Sequence, residues 1–140
     1  MTQEQHFTQI CETRTDINEH LPVLRKYAEE CDTVTEMGVR SVVSTFAFLI
    51  AKPKSLVSID LYHPSRWPNG KENIALVEEW AKETGVDFRF VEGSTREIII
   101  DETDFLFIDT WHVYEQLKIE LERHGNKARK YIGFLCPFLY

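Results

Sequence analysis

The sequence predicts an α/β protein: a doubly wound, mostly parallel sheet with helices on both faces. Three observations predict it. Short runs rich in β-branched and aromatic residues recur along the chain, namely TVTEM, SLVSID, VDFRFVEG, DFLFID and KYIGFLCPF. Segments of helix length separate them. Three of the runs end on or beside a carboxylate, at Glu36, Asp60 and Asp109. Strands separated by helix-length segments join as right-handed parallel crossovers whose helices cover the sheet. Ligands of such sheets bind outside the carboxyl ends of the strands, where the strand order switches.

Each element follows from local pattern. After a polar, acidic start, Leu21, Leu24, Tyr27, Ala28 and Cys31 recur at offsets of three and four, one face of a helix. Pro22 suits its first turn, where the missing N–H costs nothing. TVTEM (33–37) reads as a short strand. SVVSTFAFLIA (41–51) is apolar almost throughout, and its length and the stop at Lys52-Pro53 favour a buried helix. SLVSIDLY (55–62) has the unbroken apolar run of a strand buried on both faces. HPSRWPNG is loop by its Pro, Asn and Gly. ENIALVEEWAKETG is a helix with Ile74, Val77 and Ala81 on one face, closed by Gly85. VDFRFVEG alternates as a strand. STREIIIDE is ambiguous, with helix preferred at its start. DFLFID is a buried strand, TWHVYEQLKIELERHG an amphipathic helix, and KYIGFLCPF a last apolar strand. Residues 1–32 are expected to form a helical segment packed on an α/β domain of residues 33–140, one domain overall.

The bulk numbers set bounds. A chain of 140 residues that is 43% hydrophobic can bury roughly two thirds of its unfolded surface as a single domain. With 16 Lys+Arg against 23 Asp+Glu the net charge is -7, and no basic run offers a footprint for a phosphate backbone, so nucleic acid is not an expected partner. Cys11, Cys31 and Cys136 make an odd count without CxxC spacing, which supports neither a disulfide framework nor a zinc knuckle. The first residues lack the basic and apolar regions of a signal peptide, and no apolar run approaches the roughly 20 residues of a membrane span. A soluble, cytoplasmic protein without membrane contact is expected.

The carboxylates at the strand ends carry the chemistry. Asp60 closes the second strand, where dinucleotide folds place the acid that accepts hydrogen bonds from ribose hydroxyls. Gly38 either lets a ligand approach the backbone or supplies a positive φ in the strand-to-helix turn. His112 lies one turn past Asp109, where its imidazole either serves as a general base near neutral pH or caps or packs at the helix start. His63, Arg66 and Trp67 fall in a loop after Asp60, read first as ordinary surface. Trp80, Trp111 and Tyr114 sit at helical spacings and are expected in the core. Arg40 is expected to pair with a surface acid.

The run E-M-G-V-R-S-V-V-S-T (36–45) resembles the first motif of class I S-adenosylmethionine-dependent methyltransferases, in the branch with cephalosporin-hydroxylase-like and small-molecule O-methyltransferase proteins, where it reads approximately E-x-G-v-x-x-G-x-S-t. F-I-D-T-W-H-V-Y-E-Q-L (107–117) is similar to that branch's I-D-x-x-H-x-Y-E segment after the fourth strand. The resemblance runs from about Thr33 to Cys136 and implies a Rossmann-like sheet. It implies that Glu36, Gly38 and Ser44 surround the methionine end of S-adenosylmethionine, that Asp60 holds its ribose and that Ser94 contacts adenine. Asp109 and His112 would face the reacting centre, where a small-molecule or sugar hydroxyl takes the methyl group.

Three departures qualify these expectations. Position 42 is valine where the family pattern has its second glycine, and Val43 follows; their side chains are expected to fill space near the cofactor's carboxylate. Metal-using relatives carry a further acid after the fifth strand, absent from Ile132-Gly133-Phe134-Leu135-Cys136-Pro137, so magnesium at Asp109 is not expected. Five strands are counted where the family sheet has seven, so the core is expected to be minimal, truncated or completed by another subunit, and a homodimer would cover its apolar edge. A catalytically degenerate fold acting as a binding or assembly module is the alternative. A nicotinamide-dependent enzyme is disfavoured because the G-x-G-x-x-G spacing is absent.

Overall fold

The computed structural model describes residues 1–135. Cys136 and the apolar residues after it, expected to end the last strand, lie outside the described residues. The elements are α1 (Gln3–Glu12), α2 (Leu21–Ala28), β1 (Thr33–Met37), α3 (Ser44–Ile50), β2 (Ser55–Asp60), α4 (Gly70–Thr84), β3 (Asp87–Glu92), β4 (Thr103–Ile108), α5 (Tyr114–His124) and β5 (Ala128–Phe134). All five strands pair in parallel, in the order β3-β2-β1-β4-β5. The expected Rossmann-like α/β class is therefore the observed one. The chain builds outward from β1 to β3, then returns to start β4 on the other side of β1. That reversal puts the switch point between β1 and β4.

Burial explains the sequence patterns. β4 is buried at every position, as its unbroken apolar run requires, whereas β3 and β5 at the edges have no fully buried position. One face of the sheet packs on α1 to α4 through a core that includes Phe46, Phe48, Leu56, Val77, Phe105 and Phe107. Phe48 meets Phe105 and Phe107 edge to face, with centroids 5.6 and 5.5 Å apart. Rings buried this way contribute about 1.5–3 kcal/mol each. The N-terminal helices join the same core through Phe7, Leu21, Leu24 and Ala28, and Thr2 and Gln5 form a capping box that starts α1. The opposite face is thinner. Met37, Ile59, Leu106 and Ile108 pack there against α5 and the extended stretch around Ile98 and Ile100.

That stretch is one of two departures from the sequence reading. The pattern of STREIIIDE favours a helix at its start; instead Ser94 to Ile98 forms a turn closed by Glu97 N–H and Ile98 N–H on the Ser94 carbonyl, both 3.0 Å. The second departure concerns α5, which begins at Tyr114 rather than Thr110. Trp111 and Tyr114, expected in the core, are 70% and 64% exposed. Trp80 is buried as expected. No helix among the described residues is long and apolar enough to cross a membrane.

At the switch point the backbone leaves no room for a side chain. Gly38 has φ +94°, and a Cβ built on it would lie 2.0 Å from the Asp109 carbonyl oxygen. Asp109 N–H on the Met37 carbonyl ties the end of β4 to β1 there, and Gly38 N–H on the Ile59 carbonyl ties β1 to β2, both at 2.8 Å. Gly38→Ala is therefore expected to destabilise the fold by about 3 kcal/mol or more, because both the left-handed backbone and the β1–β4 contact oppose it. Thermal unfolding checks this: a midpoint lowered by roughly 10 °C or more is expected, and a midpoint within two degrees of the parent would contradict the assignment.

Candidate ligand site at the switch point

Glu36 and Asp60 emerge from β1 and β2 on different sides of the problem. Glu36 points under α3 and is fully buried. Its carboxylate accepts from Ser44 Oγ at 2.5 Å, from Ser58 Oγ at 2.9 Å and from the Thr45 hydroxyl. Glu36 and Ser44 thus bond each other at the strand-to-helix junction, and Glu36 does not reach the ligand cavities described below. Burial pushes the Glu36 carboxyl up to about 7, against the three hydroxyls that favour its charged form.

Asp60 sits at the rim. Its Oδ2 accepts from Val39 N–H at 2.8 Å and Arg40 N–H at 2.9 Å, and its Oδ1 from Leu61 N–H at 2.7 Å. A carboxylate has about four lone-pair sites, so one remains, on Oδ1. The same bonds fix the loop after β1. In that loop Arg40 and Val42 have φ of 50° and 71°. Val42 therefore keeps the left-handed backbone that a glycine supplies without strain, although a β-branched residue is disfavoured there. The side chain of Val42 enters the core, 1% exposed, so the expectation that it fills ligand space is corrected; Val43 does line a cavity.

Two cavities open along the carboxyl ends of the strands. The larger, about 510 Å³, runs from Asp60 and Leu61 past Gly93, Ser94 and Thr95 to Gln116. The smaller, about 130 Å³, lies between Thr15–Ile17 and the loop from Gly38 to Ser44. Both are lined by Gly38, Arg40 and Asp109, which makes these three residues the junction between them. Of the sequence candidates, Gly38, Asp60, Ser94 and Asp109 line the larger space, and Gly38, Ser44 and Asp109 the smaller. Trp67 also reaches the larger cavity, from a loop read as ordinary surface. Arg40 has an acid near it, Asp16, at 3.8 Å.

Asp109 lies at that junction with Oδ1 2.7 Å from His112 Nε2. Burial raises its carboxyl above the usual aspartate range, while the hydrogen bond and charge of His112 oppose the rise. His112 lines neither ligand cavity; its ring borders the narrow cleft behind Asp109. One carboxylate bonded to one imidazole does not fit the several-oxygen shell that magnesium takes. Among the described residues no three His, Cys, Asp or Glu side chains group as a metal site.

The sequence reading missed Thr95, Thr110 and Gln116 on the cavity wall. A signal for them was present in α5, whose buried residues are Gln116, Glu120 and His124. Polar residues at i, i+4 and i+8 on the inner face of a helix mark a buried polar network.

No family model matches the sequence, and no curated protein sequence matches it. Solved structures do. A crystal structure from Staphylococcus aureus with a provisional caffeoyl-CoA O-methyltransferase assignment overlays with a TM-score of 0.62 at 18% identity, covering 92% of this chain and 62% of that one. This chain thus has the fold of that protein over somewhat less than two thirds of its length. A Pyrococcus abyssi tRNA (uracil-54, C5)-methyltransferase with S-adenosyl-L-homocysteine overlays at 0.48, with 17% identity over 82% of this chain and 27% of that one. A phosphoethanolamine N-methyltransferase from Haemonchus contortus overlays at 0.46, with 11% identity over 91% and 29%. The last two overlays are too loose to carry an argument.

The burial of Glu36 gives a pH dependence of known sign. An acid at about 7 in the folded chain and 4.5 when unfolded binds its proton more tightly on folding. Its contribution is present below about 4.5 and is lost as pH rises through 7, on the order of 3 kcal/mol in all. Urea unfolding at pH 5 and pH 8 should show this loss, and Glu36→Gln should flatten it. Equal slopes for the two proteins would contradict the assignment.

Proposed function

We propose that this chain binds S-adenosylmethionine and transfers its methyl group to a hydroxyl of a small molecule. The observation that carries the reading is the convergence of Gly38, Asp60, Ser94 and Asp109 around one cavity at the switch point of a parallel sheet. The donor set fits a nucleoside thioether. The free lone pair on Asp60 Oδ1 can accept from a ribose hydroxyl, and Leu61, Tyr62 and Trp67 give the same cavity apolar surface for a purine ring. The smaller cavity, with Ser44 and the Val39–Val43 loop on its wall, would take the amino acid end. Its volume of about 130 Å³ suits a short chain rather than a second ring system.

The donor supplies an electrophilic methyl group on a sulfonium sulfur. What the chain adds is position and a proton acceptor. Asp109 stands between the two cavities, and its carboxylate takes the proton of the attacking hydroxyl as oxygen bonds to carbon and the carbon–sulfur bond breaks. Its raised pKa makes it a better base than an exposed aspartate. His112 acts through Asp109, holding Oδ1 at 2.7 Å so that the other oxygen is presented to the cavity. The methyl acceptor reading draws on the O-methyltransferase assignment of the Staphylococcus aureus protein with the shared fold.

One observation favours the second reading, a fold of this type that serves as a binding or assembly module. Three of the lone pairs of Asp60 are taken by backbone N–H groups of its own chain. Calorimetry with S-adenosylhomocysteine separates the two. Micromolar binding is expected, at least tenfold weaker in Asp60→Asn because an amide offers one acceptor atom where the carboxylate offers two. A folded parent protein that gives no heat at millimolar ligand would leave the module reading standing.

A further inference from the structure

Glu120 is a fully buried carboxylate that the proposed reaction does not use. It lies on the inner face of α5 and accepts from Thr110 Oγ1 at 2.6 Å, from Gln116 Nε2 at 3.2 Å and from the Thr95 hydroxyl. All three donors belong to residues on the wall of the larger cavity. Gln116 Nε2 also donates to Thr95 Oγ1 at 3.3 Å, and His124 Nε2 lies 2.6 Å from the Thr95 carbonyl. The turn after β3 and the first turn of α5 are therefore locked together behind the cavity.

The lock decides which end of an amide faces the ligand. Both bonds of Gln116 use its nitrogen, so its Oε1 has no protein partner among the described residues. Gln116 is 9% exposed and borders the cavity, so this oxygen is the acceptor that the residue has left to offer a ligand there. An amide turned the other way would set Oε1 against the Glu120 carboxylate, acceptor against acceptor, and leave Thr95 without its second contact.

We infer that Glu120 is a positioning residue for base recognition: it holds Gln116 so that Oε1 meets the exocyclic amino group of a 6-aminopurine and rejects a 6-oxopurine. The inference rests on the cavity being the nucleoside end of a methyl-donor site. A 6-amino group brings a donor to Oε1; a 6-oxo group brings an acceptor. Were Gln116 free to turn, its amide would match either. Buried polar groups left unmatched by the wrong ligand are what make such discrimination steep.

The test compares S-adenosylhomocysteine with S-inosylhomocysteine by calorimetry on the full chain, for the parent protein, Glu120→Gln and Gln116→Leu. The parent is expected to favour the adenosyl compound by about tenfold or more, in line with one lost hydrogen bond and one unpaired acceptor. Glu120→Gln supplies a donor as well as an acceptor behind Gln116, tolerates either amide orientation, and should narrow the ratio to within about threefold. Gln116→Leu should narrow it equally while keeping Glu120, and decides the matter if Glu120→Gln does not fold. A general loosening of the site would weaken both ligands and leave their ratio intact, so an unchanged ratio in either folded variant overturns the inference. A parent that binds both compounds equally overturns it while leaving the donor-site reading in place. A parent that binds neither overturns both.

Discussion

The arrangement of the site depends on one backbone contact, the approach of Gly38 to the Asp109 carbonyl. Because position 38 carries no Cβ, β1 and β4 can close on each other at their carboxyl ends. That closure brings the acids of β2 and β4 to either side of a single glycine. Asp60 then bonds the amides of residues 39 and 40, and the loop it holds becomes the wall between the two cavities. A side chain at position 38 would separate these strand ends before any question of ligand arose.

Two buried carboxylates support that closure from opposite faces of the sheet. Glu36, beneath α3, gathers three hydroxyls from the helix start and from β2. Glu120, on α5, gathers donors from the two segments that border the larger cavity. Neither has a cation bonded to it among the described residues, so each relies on neutral donors to offset its desolvation. Such groups contribute direction more than net stability: each fixes which way its neighbours point, one at the methionine side of the proposed site and one at the base side.

Most of the fold was legible locally. β1, β2, β3, β4, α3 and α4 follow from unbroken apolar runs, from alternation and from the Gly85 stop, all of which act within a few residues. The start of the β3–β4 connection was not legible in this way. Its turn is held by Arg123, which donates to the carbonyls of Glu97 and Ile98, and by Glu120 and His124 on Thr95. These partners lie 25 to 29 positions away in sequence, beyond the reach of any local pattern. The same holds for Glu36: an acid at the end of a strand reads as a ligand contact until the hydroxyls of Ser44, Thr45 and Ser58 are seen around it. Asp60 and Asp109 were legible because position at a strand end, in a parallel sheet, is itself a spatial statement. Trp111 was misread because α5 starts later than its pattern suggests, which leaves the tryptophan in the preceding loop.

The central claim is that the rim formed by Gly38, Asp60 and Asp109 receives a nucleoside thioether. Amide hydrogen exchange with and without saturating S-adenosylhomocysteine tests it most directly. Protection is predicted in residues 38–43, 60–62, 93–96 and 109–116, with the N-terminal half of the sheet unchanged. Protection confined to the groove along Val57, Val91 and Ile99 on the thinner face, or no protection anywhere, would contradict it.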